Sequence, residues 1–122
     1  MPYRVLLVDD SAVMRKMVTR TLRQSGLQLS EVLEASNGLE ALDVLTNEVV
    51  DLILCDWNMP EMDGITFLRE ARKQYQTPVV MLTTESSQEK VNEAMNAGAN
   101  GYVSKPFTPE KIGDSLNAVL ED

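Results

Sequence analysis

The sequence contains no histidine and only one cysteine among its 122 residues. Without histidine, the chain cannot use an imidazole as a general base or as a metal ligand. The one cysteine, Cys55, cannot form an intramolecular disulfide or a zinc site built from several thiolates. Because Cys55 lies within an apolar stretch, we expect it to be a small, buried core residue. These absences exclude disulfide-stapled scaffolds and histidine-based catalysis.

Positive charge is also scarce, and long apolar runs are absent. Lys and Arg number 11 against 19 Asp and Glu, so the formal net charge is -8. This balance argues against a nucleic acid bound through its phosphates and favours cations or basic protein faces as partners. No apolar run is as long as a membrane span, and the N-terminal residues MPYRVLLVDD lack the cleavage site of a signal peptide. We expect a cytoplasmic protein without a membrane or nucleic-acid partner.

Five short apolar segments alternate with five helical patterns, and the length suits a single domain over residues 1–122. Strand and helix alternation with right-handed crossovers gives an α/β fold, a parallel sheet with helices on both faces. The second strand has the weakest apolar pattern, which suits an edge position, but the pattern alone leaves the strand order open. The predicted strands are residues 4–8, 31–35, 52–55, 79–82 and 101–103.

The helical patterns have recognisable ends. The first is expected to begin at Ala12 and to end at Gly26, and the third to cover residues 65–75. The predicted N-caps are Asp10 or Ser11, Asn37 paired with Glu40, Ser86 paired with Glu89, and Thr108 before Pro109. On the first helix, the expected inward face is Met14, Met17, Val18, Thr21 and Leu22, and the expected solvated face is Arg15, Lys16, Arg20 and Arg23.

Polar side chains stand at the carboxyl ends of four predicted strands. Asp9 and Asp10 follow the first strand, Asp56 the third, Thr83 the fourth and Lys105 the fifth. In open parallel sheets, ligands bind outside these strand ends. If the first and third strands are neighbours, two carboxylates about 4 Å apart repel by about 4 kcal/mol at an effective dielectric constant of about 20. A divalent cation that prefers oxygen ligands, such as Mg2+, and the ammonium of Lys105 would offset this repulsion.

Asp56 is the strongest candidate for a reactive group. An aspartate after a buried strand is often only a turn former, but here other polar strand ends accompany it. The chain has no glycine-rich phosphate loop, so a phosphoryl group would have only a cation, Lys105, Thr83 and turn amides to bind it. An aspartate nucleophile that forms an acyl phosphate fits this set.

The order of these residues closely resembles that of the receiver domains of bacterial two-component response regulators. Asp9-Asp10, Asp56, Thr83 and Lys105 before a proline occur in the family's order and spacing, and the resemblance covers the whole chain. The turn DWNMP is most similar to that of the single-domain chemotaxis regulators. The resemblance implies a flavodoxin-like, doubly wound fold of five parallel strands in the order 2-1-3-4-5.

The resemblance also implies roles for the site residues. Asp56 would accept a phosphoryl group from a partner histidine kinase, and the chain would catalyse this transfer and its own dephosphorylation without an external substrate. Thr83 and Lys105 would bind the phosphate, and the ring of Tyr102 would turn inward as Thr83 moves. The implied Mg2+ ligands are Asp9, Asp10, Asp56 and the backbone carbonyl of Asn58.

The resemblance further implies a monomer that controls a partner such as a flagellar switch component, with a phosphatase as a further partner. The output face would comprise the fourth helix, the fifth strand and the fifth helix. Three residues are expected to tune hydrolysis of the acyl phosphate. Asn58 and Glu85 could hold an in-line water, whereas the branched side chain of Thr84 narrows its approach.

Three other functions fit parts of the pattern. A phosphorelay intermediate would use the same pocket and pass the phosphoryl group to a second histidine. An aspartate-based phosphatase should have an acid two residues after its nucleophile, where this chain has Asn58. A flavin-binding electron carrier should have a phosphate loop after the first strand, where this chain has Asp9, Asp10 and Ser11. A phosphorylation-activated switch is therefore preferred, with the phosphorelay intermediate as the alternative.

Overall fold

Five β-strands alternate with five α-helices over residues 2–84, 87–105 and 108–120, which the computed structural model describes. This alternation confirms the predicted α/β fold. The strands are β1 (Tyr3–Val8), β2 (Leu29–Ala35), β3 (Leu52–Asp56), β4 (Val79–Thr83) and β5 (Gly101–Ser104). The helices are α1 (Ala12–Gln24), α2 (Gly38–Asn47), α3 (Gly64–Ala71), α4 (Gln88–Asn96) and α5 (Pro109–Leu120).

All strand pairs are parallel, and the order across the sheet is β2-β1-β3-β4-β5. This is the order implied by the family resemblance, and it places β2 at an edge as predicted. The register aligns the carboxyl ends of the central strands: Val8 pairs with Cys55, and Asp56 pairs with Leu82. Residues that follow these pairs therefore meet at one edge of the sheet.

The core has two parts, one on each face of the sheet. On one face, alternate residues of β1, β3 and β4 pack with α2, α3 and Ala94 of α4, and Cys55 lies fully buried there as predicted. On the other face, the intervening strand residues pack with α1 and α5. Because residues of a strand point alternately to the two faces, each apolar strand supplies both cores. Within the described residues, no helix is long and apolar enough to cross a bilayer.

The structure corrects two expectations about helix packing and length. Met17 was expected to face the core but is 56% exposed. The sheet covers only part of the apolar stripe of α1, the part that contains the buried residues Val18 and Leu22. Helix α3 ends at Ala71 rather than near Tyr75. The guanidinium of Arg72 donates hydrogen bonds to carbonyls beyond the helix, those of Tyr75 (3.1 Å), Thr77 (2.8 Å) and Gly98 (3.0 Å).

Most predicted helix caps are confirmed. The side chains of Ser11, Asn37 and Thr108 accept hydrogen bonds from the backbone three residues later, at 3.2, 2.9 and 3.2 Å. For α4 the N-cap is Ser87, whose hydroxyl accepts from the backbone N–H of Lys90 at 3.3 Å. The predicted cap, Ser86, lies outside the described residues. Because Ser86 and Ser87 are adjacent and both can cap a helix, the sequence allowed two possible first residues for α4, one residue apart.

Candidate functional site

The described residues include three polar side chains classed as buried, and all three lie at one edge of the sheet. Asp9 is 2% exposed, Asp56 9% and Thr83 2%. Asp9 directly follows β1, and Asp56 and Thr83 are the last residues of β3 and β4. Lys105 directly follows β5, and its backbone N–H donates to the carbonyl of Thr83 at 2.7 Å. The strand ends that the sequence singled out therefore form one site.

Three carboxylates converge at this edge. One oxygen each from Asp9, Asp10 and Asp56 lies within 4.8 Å of the others. Asp10 is exposed, so the cluster opens to solvent on its side. The ammonium of Lys105 lies 3.2 Å from Oδ1 of Asp56 and 3.6 Å from Oδ2 of Asp9. The side chain of Lys105 is largely buried, so this ion pairing is screened less than a surface pair.

The environment of Asp56 disfavours its ionised form in spite of Lys105. Burial raises the pKa of the Asp56 carboxyl, and the neighbouring charge of Asp9 acts in the same direction. Lys105 and the N–H of Trp57 oppose the rise in this pKa but do not cancel it. Burial, together with the charge of Asp9, therefore disfavours the ionised form of Asp56, and a further positive group would stabilise that form.

The donor set fits a hard divalent cation. Oδ1 of Asp9 accepts a hydrogen bond from the N–H of Ser11 at 2.9 Å, but its buried Oδ2 has no hydrogen-bond donor among the described residues. The ammonium of Lys105, 3.6 Å away, gives this oxygen an ion pair but no hydrogen bond, and a metal ion bound here would supply the missing partner. Three carboxylates without nitrogen or sulfur ligands suit Mg2+ better than a transition metal.

The turn after β3 is fixed by its own backbone. The N–H of Trp57 donates to Oδ1 of Asp56 at 2.9 Å, and the N–H of Gly64 donates to the carbonyl of Trp57 at 2.8 Å. A Cβ atom at Gly64 would overlap the carbonyl oxygen of Asp56, so the close approach of α3 to β3 requires glycine. The start of α3 therefore positions the residue that carries the carboxylate.

Arg15 corrects the expectation that the basic stripe of α1 is entirely solvated. Its side chain is 17% exposed. Its Nη1 donates to the backbone carbonyl of Asp9 at 2.6 Å, and its Nε donates to Glu34 of β2 at 2.7 Å. Helical spacing predicts the face of α1 on which Arg15 lies, but it does not predict which groups the end of a long side chain contacts. The sequence therefore did not reveal this contact.

Trp57 and Lys90 form a second contact that the sequence did not reveal. Trp57 is buried, and Nζ of Lys90 lies 4.6 Å from the centroid of its ring. Lys90 belongs to α4, and both α3 and β4 separate it from Trp57 in the sequence, so no local pattern links the two residues.

The remaining predicted residues lie around this centre. Tyr102 is half-buried on β5, opposite Met81 of β4, and packs against the core. Asn58 and Thr84 are exposed and follow the buried ends of β3 and β4. Glu85 lies outside the described residues.

Sequence and structure comparisons agree on one family. Residues 5–117 match the response regulator receiver domain. The chain is 44% identical to a chemotaxis protein CheY homolog of Campylobacter jejuni over 121 residues, which cover 96% of this chain and 92% of that protein. It is 39% identical to chemotaxis protein CheY1 of Helicobacter pylori, covering 96% of each. The solved structure of the chemotaxis response regulator CheY4 of Vibrio cholerae superposes with a TM-score of 0.86 at 42% identity, covering 98% of this chain and 100% of that one.

Proposed function

Because the chain belongs to the response regulator receiver domain family, we propose that it is a signalling switch activated by phosphorylation of Asp56. The observation that carries this proposal is the environment of Asp56. Its buried carboxylate lies 3.2 Å from the ammonium of Lys105, and one of its oxygens lies within 4.8 Å of an oxygen of Asp9 and of Asp10. A phosphoryl donor can reach this edge from solvent because Asp10 is exposed.

In the proposed transfer, an oxygen of Asp56 attacks the phosphorus of a phosphohistidine on a histidine kinase. The bond from phosphorus to the imidazole nitrogen breaks, and its electron pair returns to that nitrogen. Lys105 stabilises the added charge on the phosphoryl oxygens, and the hydroxyl of Thr83 binds one of them. Mg2+ held by Asp9, Asp10, Asp56 and the carbonyl of Asn58 would supply further positive charge for those oxygens.

The output of the switch is proposed to be a conformational change of α4, β5 and α5, which is coupled to Asp56 through Thr83. The phosphoryl group of an acyl phosphate carries about -1.5 to -2 charge, whereas the carboxylate that it replaces carries about -1, so phosphorylation makes the site more negative by roughly one charge or less. Movement of Thr83 towards it lets the ring of Tyr102 turn inward and biases a pre-existing equilibrium of α4, β5 and α5. The chemotaxis names of the relatives support a downstream protein such as a flagellar switch component as the partner. Water attack on phosphorus, with return of the carboxylate, resets the switch.

The phosphoacceptor can be tested with a small donor. The wild-type protein, incubated with acetyl phosphate and Mg2+, should acquire an acid-stable, base-labile phosphate. Asp56→Asn should acquire none, whereas Asp43→Asn, which removes an exposed carboxylate from α2, should behave like the wild type. Phosphate incorporation into Asp56→Asn at the wild-type rate would refute the proposed role.

A further inference from the structure

Lys90 contacts the aromatic ring next to the phosphoacceptor. It lies in the first turn of α4, and its Nζ is 4.6 Å from the centroid of the Trp57 ring. A cation over the face of an indole is attracted by the ring quadrupole, and the attraction grows when the pair is shielded from water. Trp57 is buried and Lys90 is half-buried, so this pair is partly shielded.

The charges around Lys90 favour the ring over a carboxylate. Glu93, one turn further along α4, has its carboxylate 3.5 Å from Arg69 of α3. Within residues 2–84, 87–105 and 108–120, no carboxylate lies within ion-pairing distance of Lys90. The ammonium is therefore held by Trp57 and not by an acidic neighbour in those ranges.

Trp57 also contacts Asp56, through its backbone. The N–H of Trp57 donates to Oδ1 of Asp56 at 2.9 Å, and its carbonyl accepts from Gly64 at the start of α3. Oδ1 is also the oxygen that lies 3.2 Å from Lys105. Any rotation of the Trp57 residue would thus move a hydrogen bond that orients the Asp56 carboxylate.

We propose that Lys90 is a positioning residue for the phosphoacceptor, acting through the ring and the backbone N–H of Trp57. It joins the first turn of α4 to Asp56 by a route that does not pass through Thr83 or Tyr102. The inference rests on the proposed function only in taking Asp56 as the phosphorylated residue. The contact itself can be measured without any phosphoryl donor.

Two substitutions separate charge from packing at this position. Lys90→Met keeps an unbranched apolar stem but removes the cation, whereas Lys90→Arg keeps a cation that can stack on an indole. Lys16→Met, on the exposed face of α1, is the control that makes the same change in net charge away from Trp57. All three proteins retain the only tryptophan, so its emission reports on one residue.

The first readout concerns the contact. Lys90→Met should shift the Trp57 emission maximum, increase its quenching by acrylamide and move the backbone amide resonance of Trp57. Lys90→Arg should restore most of each effect, and Lys16→Met should resemble the wild type. An unchanged Trp57 amide resonance in Lys90→Met would overturn the proposal, because the bond to Asp56 would then not depend on Lys90.

The second readout concerns the reaction. Phosphorylation of Lys90→Met by acetyl phosphate in saturating Mg2+ should be slower by about 2-fold to about 30-fold, the range expected for loss of one cation–π contact. Lys90→Arg should recover most of the rate. A wild-type rate in Lys90→Met would also overturn the positioning role. Failure of the wild-type protein to accept phosphate would instead refute the proposed function, and the Trp57 amide would still decide whether Lys90 orients Asp56.

Discussion

Nζ of Lys105 lies 3.2 Å from Oδ1 of Asp56, and both side chains are largely buried. A single compact charge at this place can contact the carboxylate and an added phosphoryl group in turn. Lys105→Arg keeps the charge but spreads it over a planar guanidinium that cannot occupy the same point. We expect its Mg2+ affinity, measured by Trp57 fluorescence, to stay within about 3-fold of the wild type, less than about 1 kcal/mol.

The switching of Lys105→Arg should nevertheless be impaired. Amide resonances of α4, β5 and α5 should respond less to beryllofluoride, a stable phosphoryl mimic, than those of the wild type. Lys111→Arg, an exposed substitution on α5, is the matched control. A full response in Lys105→Arg would show that the position of the charge is not important for switching.

The raised pKa of Asp56 predicts how stability depends on pH. The native carboxyl binds its proton more tightly than the unfolded one, because burial and Asp9 disfavour its charge. The contribution of Asp56 to stability is therefore greatest below the usual carboxyl pKa and is lost as the pH rises through the raised pKa. In EDTA at neutral pH, Asp56→Asn should have a higher free energy of unfolding than the wild type, and the difference should vanish at acidic pH.

Urea unfolding of the two proteins across this pH range tests the expectation. Saturating Mg2+ should narrow the difference in free energy of unfolding at neutral pH, because an ion that binds the folded wild type raises its free energy of unfolding. If Asp56→Asn is less stable than the wild type at neutral pH in EDTA, the ion pair with Lys105 outweighs the burial of the charge.

The strand ends could be predicted from the sequence because an apolar run locates a buried strand and the next polar residue marks its end. This logic placed Asp9, Asp56 and Thr83 at one edge. It could not place Arg15 or Lys90, because their contacts join elements whose spacing depends on how helices pack against the finished sheet. The exposure of Met17 has the same cause, since a helical stripe shows which residues can face the core but not how much of the stripe the sheet covers.

Arg15 provides a test of how α1 supports the acid pair. Its bonds to the carbonyl of Asp9 and to Glu34 hold the end of β1 against β2. Groups that orient metal ligands commonly change metal affinity by about 10-fold or more when removed. Arg15→Gln should therefore bind Mg2+ about 10-fold more weakly, as measured by Trp57 fluorescence. Arg20→Gln, exposed on the same helix, should bind like the wild type; equal affinities for both variants would contradict the positioning role of Arg15.

The lifetime of the acyl phosphate should depend on the exposed residues beside Asp56 and Thr83. An amide at Asn58 can hydrogen-bond an in-line water, whereas a branched side chain at Thr84 narrows the approach of that water. Asn58→Met should slow phosphate release several-fold, and Thr84→Ala should accelerate it. Release measured in saturating Mg2+ decides the matter. An unchanged lifetime in Asn58→Met would mean that water is not positioned from this side, and would favour the phosphorelay alternative.

In the proposed switch, a change at Asp56 alters the face formed by α4, β5 and α5. Backbone amide chemical shifts recorded before and after addition of beryllofluoride and Mg2+ test it most directly, with Asp56→Asn as the control that should not respond. We predict shifts at Asp56 and its neighbours together with shifts across Gln88–Asn96, Gly101–Ser104 and Pro109–Leu120. Shifts confined to the residues around Asp56 would show that phosphorylation does not alter the face formed by α4, β5 and α5.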